Sequence, residues 1–182
     1  GPIMPPVDPG KTLDVNFTPR RAGTFMYHSH GHDSRQLVSG MYGALIVMEP
    51  GTKFDPVTDH IVLLGGSGPV APPGVEINRS TKPAPLQIKA GVKHRFRLIN
   101  ITPNFTLTVM LRAESGPVQW RAIAKDGADL PPNQAIARTA SQIFGVGETY
   151  DFEYTPATEG DFRIDVLRAG NVMTTMPVRV VR

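Results

Sequence analysis

Three of the five histidines in this chain lie within five residues, in the segment His28-Ser29-His30-Gly31-His32. Side chains two positions apart in a β-strand lie on the same face, so His28 and His30 are expected to present two imidazoles side by side. Two imidazoles suit copper, zinc, nickel or iron without selecting one of these metals. Gly31 is expected to end the strand and to turn His32 away into the following loop.

The His-x-His pattern is also typical of an exposed polar strand face that binds nothing. Two imidazoles fall short of the three protein ligands that are usual even in an open catalytic zinc site. A metal at His28 and His30 would therefore need ligands from elsewhere. The remaining histidines, His60 and His94, have no partner at ligand spacing in the sequence, and we expect them to be surface residues or hydrogen-bonded core residues.

Composition excludes several kinds of site. The 182 residues include no Cys, which removes disulfides, thiolate nucleophiles, Fe–S clusters and the thiolate of a blue-copper centre. The net charge of +3 comes from scattered basic residues, and Lys93, Arg95 and Arg97 alternate along a predicted strand as on a solvated face. We therefore expect no nucleic-acid partner. No run of about 18 apolar residues is present, so we expect no membrane span.

An internal repeat organises the chain. Residues 10–30 align without a gap with residues 147–167. The identical pairs are Gly10/Gly147, Thr12/Thr149, Asp14/Asp151, Thr18/Thr155, Pro19/Pro156, Gly23/Gly160 and Phe25/Phe162. Each copy has alternating apolar residues, a Thr-Pro break and a Gly that opens a second strand, so each predicts strand, turn and strand. The alternative is two unrelated hairpins that share turn chemistry.

Further strands are predicted around the repeat at a spacing of about ten residues, which is typical of an all-β sandwich or barrel. The predicted strands of the first copy include Leu13–Phe17, and those of the second include Tyr150–Tyr154. The others cover Ala44–Met48, His60–Leu64, Leu86–Lys89, His94–Ile99, Thr106–Leu111, Gln119–Ala124, Ser141–Val146 and Val178–Val181. A short helical turn is predicted at Ser34–Val38. The 18 Gly and 18 Pro residues favour such short strands and turns over helix bundles.

The repeat predicts two domains of unequal completeness. Residues 51–182 are expected to form a whole domain, and residues 1–50 the C-terminal half of a preceding one. Seven apolar side chains of that half would lack part of their core, at a cost of about 10–20 kcal/mol, which matches the net stability of a domain. They are Leu13, Val15, Phe17, Phe25, Tyr27, Leu45 and Val47. We therefore predict that missing segments or another copy of the chain complete this half.

The repeat also predicts the direction of the two imidazoles. In the second copy, Phe162, Ile164 and Val166 form the apolar face. Mapped onto the first copy, the core-facing residues are Phe25, Tyr27 and Ser29, and the outward-facing residues are Thr24, Met26, His28 and His30. A metal bound to the two histidines is therefore expected at a boundary with another domain.

The segment 22–50 resembles the multicopper oxidase family. The first cupredoxin domain of that family typically ends with Gly-Thr-Phe-x-Tyr-His-x-His, a loop with Gln, and Gly-x-x-Gly-x-x-Ile-Val. The matching residues are Gly23, Thr24, Phe25, Tyr27, His28, His30, Gln36, Gly40, Gly43, Ile46 and Val47. Residues 88–102 and 146–155 are similar to the family's second domain. The resemblance implies a cupredoxin-like Greek-key β-sandwich, with one complete domain plus half of a preceding one.

The resemblance also implies a role for the histidines. In that family, this His-x-His gives one ligand to each copper of the type 3 pair in a trinuclear cluster, which assigns His28 and His30 to those coppers. Such an enzyme oxidises a one-electron donor, for example a phenol or a metal ion, and reduces O₂ to water; a periplasmic or secreted location is expected. The family's His-Trp-His-Gly and His-Cys-His motifs are absent. The chain is therefore expected to be part of an oxidase and inactive alone, with a copper-free second domain.

Two other interpretations stay open. Copper nitrite reductases have a similar Tyr-His segment, but Cys follows their His directly, whereas Ser29 stands in that place here. A non-catalytic cupredoxin-like interaction or copper-binding module is the alternative from another functional class. In such a module, His28 and His30 would hold an adventitious metal or none.

Overall fold

Strands dominate the computed structural model, which describes residues 6–66, 68 and 74–182. The first strands and the only helix of the described residues are β1 (Gly23–His28), α1 (Asp33–Gln36), β2 (Tyr42–Val47), β3 (Asp59–Gly66), β4 (Val75–Ile77), β5 (Leu86–Lys89), β6 (His94–Asn100) and β7 (Leu107–Ala113). The others are β8 (Gly116–Pro117), β9 (Gln119–Lys125), β10 (Ala128–Asp129), β11 (Ala137–Thr139), β12 (Ser141–Phe144), β13 (Thr149–Tyr154), β14 (Gly160–Arg168) and β15 (Asn171–Val181). Over these residues, no helix has the length and apolar character needed to cross a membrane.

Three sheets are formed. Strands β1 and β2 pair only with each other in the described residues, and we call this pair the ribbon. A seven-stranded sheet has the order β10-β9-β13-β6-β3-β4 with β11 on β9, and a six-stranded sheet has the order β12-β7-β14-β15-β5 with β8 on β7. The two large sheets, which we call the sandwich, enclose a core that includes Phe96, Leu98, Val109, Trp120, Phe152 and Ile164. The pairs β3/β6 and β5/β15 are parallel and the others antiparallel. The all-β, cupredoxin-like sandwich predicted from the sequence is confirmed.

Alternating burial explains why the sandwich strands form where they do. In β7, Leu107, Val109 and Leu111 are buried, while the residues between them are only partly covered. In β9, the ring of Trp120 is buried and stacks on Phe152 with ring centroids 3.9 Å apart. Period-two burial of this kind is what a strand with one core face requires.

Strand β6 departs from that alternation because both of its faces are covered. Phe96 and Leu98 point into the sandwich core, whereas Arg97 and Ile99 are buried on the opposite face. A second apolar cluster lies on that opposite face and joins the sheet to the ribbon. Its buried members are Leu37, Tyr42, Leu63, Ile99 and Ile101, with Met26, Ala44 and Ile61 packed against them.

Most predicted strands are present, but one is not. The strand expected over Leu13–Phe17 is wrong, since residues 11–19 have no regular structure. A strand requires a partner for its backbone groups, and none of the described strands lies beside this segment. The apolar side chains of this segment are correspondingly exposed to solvent, by 43% at Leu13 and 66% at Phe17. The corresponding strand of the second copy, β13, lies between β6 and β9.

Candidate metal centre

His28 and His30 lie side by side at the end of the ribbon. His28 is the last residue of β1, and His30 follows it after one residue. Their rings are stacked, with centroids 4.5 Å apart and planes inclined by 26°. The ring of His28 is half-buried and that of His30 is exposed. The structure thus brings together the two imidazoles that the sequence pattern singled out.

The backbone fixes the protonation of one ring nitrogen in His28. The Nδ1 atom of His28 lies 2.9 Å from the carbonyl oxygen of Ser29. A carbonyl oxygen only accepts hydrogen bonds, so Nδ1 must carry the proton and donate it. In the neutral ring, Nε2 then keeps its lone pair for another partner. This is the arrangement in which protein histidines bind metal ions.

The near-parallel rings place two possible metal ligands side by side, with centroids 4.5 Å apart. Two neighbouring imidazoles of this kind can bind one metal ion or two adjacent ions. Among the residues that the structure describes, no group of three or more His, Cys, Asp or Glu side chains is placed to hold a metal ion.

The third histidine of the cluster lies in the following bend, as predicted. The carbonyl oxygen of His32 accepts hydrogen bonds from the backbone N–H groups of Arg35, at 2.9 Å, and Gln36, at 2.8 Å. The side-chain oxygen of Gln36 accepts one from the N–H of His32 at 3.3 Å. His32 therefore caps α1 from the position just before it, and its side chain is exposed.

The outward face of β1 lies on the sandwich. Thr24 is 1% exposed; its hydroxyl donates to Asp151 Oδ2 at 2.9 Å and accepts from Arg97 Nη1 at 2.8 Å. Arg97 also donates to both carboxylate oxygens of Asp59, at 2.6 and 2.7 Å. In the other direction, the hydroxyl of Thr149 donates to the carbonyl of Thr24 at 3.0 Å. The face of β1 that carries Thr24 is therefore covered by the sandwich.

This buried polar centre corrects one sequence interpretation. The alternation of Lys93, Arg95 and Arg97 indicated a solvated face, yet Arg97 is 2% exposed because the ribbon covers it. A guanidinium is buried only where its donors are paired, and here Asp59, Asp151 and Thr24 pair them. The signal in the sequence was Ile99, an apolar residue on the same face of β6 as Arg97.

His60 and His94 form a separate buried pair. His60 Nε2 lies 3.1 Å from His94 Nδ1, and His94 Nε2 lies 3.1 Å from the backbone of Lys89. The expectation of hydrogen-bonded core residues is confirmed. Burial, followed by the charge that His94 can carry, lowers the pKa of His60 to about 4, although Asp59 and Asp55 oppose the shift.

Comparison with known proteins identifies sequences and structures that are similar to this chain. Residues 1–52 match the sequence profile of a family described as multicopper oxidase. Laccase-5 of Trametes villosa is 31% identical over 175 residues, which are 81% of this chain and 31% of the laccase. The L-ascorbate oxidase of Cucurbita pepo var. melopepo is 46% identical over 50 residues, 28% of this chain and 9% of that enzyme.

The fold is also found in solved structures. The blue copper oxidase from Nitrosomonas europaea superposes with a TM-score of 0.75 at 21% identity, over 96% of this chain and 61% of that one. The sheets thus form a cupredoxin-like β-sandwich. The chain belongs to the multicopper oxidase family. It spans about three tenths of the length of the curated laccases that it matches.

Proposed function

We propose that this chain contributes two copper ligands to a multicopper oxidase that oxidises a one-electron donor and reduces O₂ to water. In this proposal, His28 and His30 each bind one copper of the type 3 pair in a trinuclear cluster. The observation that carries the assignment is the stacking of the two rings at 4.5 Å. When bound, the copper ions supply the binding of O₂ and the transfer of electrons to it.

The residues around the imidazoles have defined tasks in this proposal. The carbonyl of Ser29 holds the proton on His28 Nδ1, which leaves Nε2 as the ligand atom. The N–H of Ser29 donates to the carbonyl of Met41 at 3.1 Å, which continues the ribbon pairing past the end of β1. The segment that carries both ligands is thereby held in an extended form.

The apolar surface supports a proposal about partners. More than two-fifths of the surface is exposed at each of four apolar residues, Leu13, Val15, Phe17 and Tyr27. The exposed fraction of Tyr27 is 60%. Burying such side chains contributes about 1.5–3 kcal/mol each. We propose that residues 1–50 form half of a first domain and that further oxidase segments, or another copy of the chain, cover it. Residues 1–5 of this half lie outside the described residues.

Two further parts of the proposal follow. Residues 51–182 act as a copper-free domain that supports the ribbon; of these, 67 and 69–73 lie outside the described residues. The chain alone is inactive, because the cluster requires ligands that the described residues do not bring to His28 and His30. The oxidase is periplasmic or secreted.

Copper titration of the 182-residue chain tests the ligand assignment. We expect His28→Ala and His30→Ala each to weaken Cu²⁺ binding by about tenfold or more, measured by calorimetry. His32→Ala is the matched control from the same segment, and it is expected to bind as the parent chain does. Equal affinity of the parent and His28→Ala would overturn the proposal.

A further inference from the structure

We infer that Tyr42 is the positioning residue for the histidine pair, and that Gly65 and Arg79 hold it in place. The inference rests on the proposed function of His28 and His30. A two-stranded ribbon is marginally stable by itself, so its position must be set by what it packs against. The relevant contact is the one that fixes the position of the ribbon end that carries the imidazoles.

Tyr42 lies at that end. In the ribbon register, Tyr42 is the direct cross-strand partner of His28. Directly opposite residues of an antiparallel pair project to the same face, with Cβ atoms about 4.5–5.5 Å apart. A displacement of Tyr42 would therefore be transmitted to His28 across a single pair. The side chain of Tyr42 is 2% exposed and belongs to the apolar cluster between ribbon and sandwich.

The ring of Tyr42 lies directly on the backbone of Gly65 in β3. A Cβ atom added at Gly65 would lie 1.8 Å from Tyr42 Oη and 2.5 Å from Cζ, so any larger residue displaces the ring. Gly65 is an ordinary strand residue and has no positive φ angle. The requirement for glycine here is close approach of another side chain, not backbone conformation.

Arg79 also contacts the ring of Tyr42. Its guanidinium carbon lies 5.5 Å from the centroid of the Tyr42 ring. Its Nη2 donates to the carbonyl oxygens of Gly40, at 3.1 Å, and Tyr42, at 2.8 Å. One side chain of the sandwich thus binds both the ring and the backbone that leads into β2.

The turn that carries Arg79 is itself fixed to β3. Asn78 accepts a hydrogen bond from the N–H of Leu63 at 2.9 Å and donates one to the carbonyl of Ile61 at 2.9 Å. Asn78 and Arg79 have φ angles of 51° and 66°. Asn78 and Arg79 therefore join β3 to Tyr42, the residue opposite His28.

Imidazole NMR spectra of the metal-free chain test this inference directly. We expect Gly65→Ala and Tyr42→Ala to shift the ring resonances of His28 and His30, with the buried pair His60 and His94 as internal references for a folded sandwich. Tyr42→Phe keeps the ring and is expected to preserve the parent spectrum. Gly145→Ala is the matched control, because a Cβ there meets only ordinary contacts at 3.7 Å or more.

Copper affinity gives a second readout. We expect Gly65→Ala and Tyr42→Ala each to weaken Cu²⁺ binding by about tenfold. The double variant should bind as Tyr42→Ala does, since both changes act through one ring. Unchanged His28 and His30 resonances in a folded Gly65→Ala chain would overturn the inference. Copper binding that does not depend on His28 would instead overturn the proposed function, while the ring resonances still report on positioning.

Discussion

The hydroxyl of Thr24 donates to the carboxylate of Asp151 at 2.9 Å, across 127 residues of sequence. Asp151 is the residue of the second repeat copy that aligns with Asp14 of the first. Thr24 lies in the same strand as His28, and Asp151 lies in the middle of the seven-stranded sheet. This bond and its neighbours tie the histidine strand to the sandwich at the end remote from the imidazoles.

Replacing Thr24 is therefore expected to destabilise the chain. Thr24→Val keeps the volume but removes the partner of two charged groups, Asp151 and Arg97, at an expected cost of about 2 kcal/mol in the free energy of unfolding. Thr24→Ser restores the hydroxyl and should recover most of the loss. The measurement is a urea unfolding curve for each variant.

The matched control is Thr106→Val, the same change at an exposed position. Its free energy of unfolding is expected to stay within about 0.5 kcal/mol of the parent value. If Thr24→Val and Thr106→Val have equal midpoints, the polar centre does not stabilise the boundary.

Acid is expected to destabilise the sandwich through His60. The pKa of His60 is about 4 in the folded chain, against 6.5 for a free imidazole. The unfolded chain therefore takes up this proton first, and stability present above pH 6.5 is lost as the pH falls toward about 4. The loss from this group is roughly 3 kcal/mol. Burial is the largest cause of the lowered pKa and the charge on His94 adds to it, whereas Asp59 and Asp55 oppose it.

Unfolding free energies measured between pH 4 and pH 8 would isolate this contribution. His60→Gln should have a shallower pH dependence than the parent chain over the acid half of the range. Thr106→Val, at an exposed position without a titratable side chain, should keep the parent slope. Parallel curves for the parent and His60→Gln would rule out this source of acid sensitivity.

The open apolar surface predicts self-association of the isolated chain. Phe17 and Tyr27 are 66% and 60% exposed, and apolar groups of that size favour burial against a second surface. The double variant Phe17→Ser with Tyr27→Ser should lower the concentration-dependent increase of the sedimentation coefficient. Val172→Ser, at a position on β15 that is 55% exposed, should leave it unchanged. Equal behaviour of the two variants would speak against a partner surface on this half.

Local patterns predicted the longer strands of the sandwich because these strands have a buried apolar face. The strands at Leu86–Lys89 and His94–Asn100 lie within a residue of their predicted bounds, since apolar alternation and turns are properties of the local sequence. The pattern at Leu13, Val15 and Phe17 is equally regular, yet it forms no strand. A segment forms a strand only if a second segment pairs with it. The alternation of Leu13, Val15 and Phe17 does not show whether such a partner is present.

The sequence predicted that His28 and His30 share a face, but it did not predict the contacts that hold their strand on the sandwich. His28 and His30 share a face because of strand periodicity alone. The contacts of Thr24 with Asp151 and of Tyr42 with Gly65 join distant segments, and their geometry depends on how the ribbon lies on the sheet. The structure places Gly65 in a strand, where the missing side chain makes room for the ring of Tyr42.

Strand β6 has interior on both sides, and this has a consequence for cooperativity. Separation of the ribbon from the sandwich would expose Ile99 to water. It would also hydrate the guanidinium of Arg97, which would lose its hydrogen bond to Thr24. The loss of apolar burial and the loss of buried polar contacts would then occur together. Ribbon and sandwich should accordingly unfold together in a single calorimetric endotherm. The histidine strand would then be as stable against unfolding as the sandwich on which it lies.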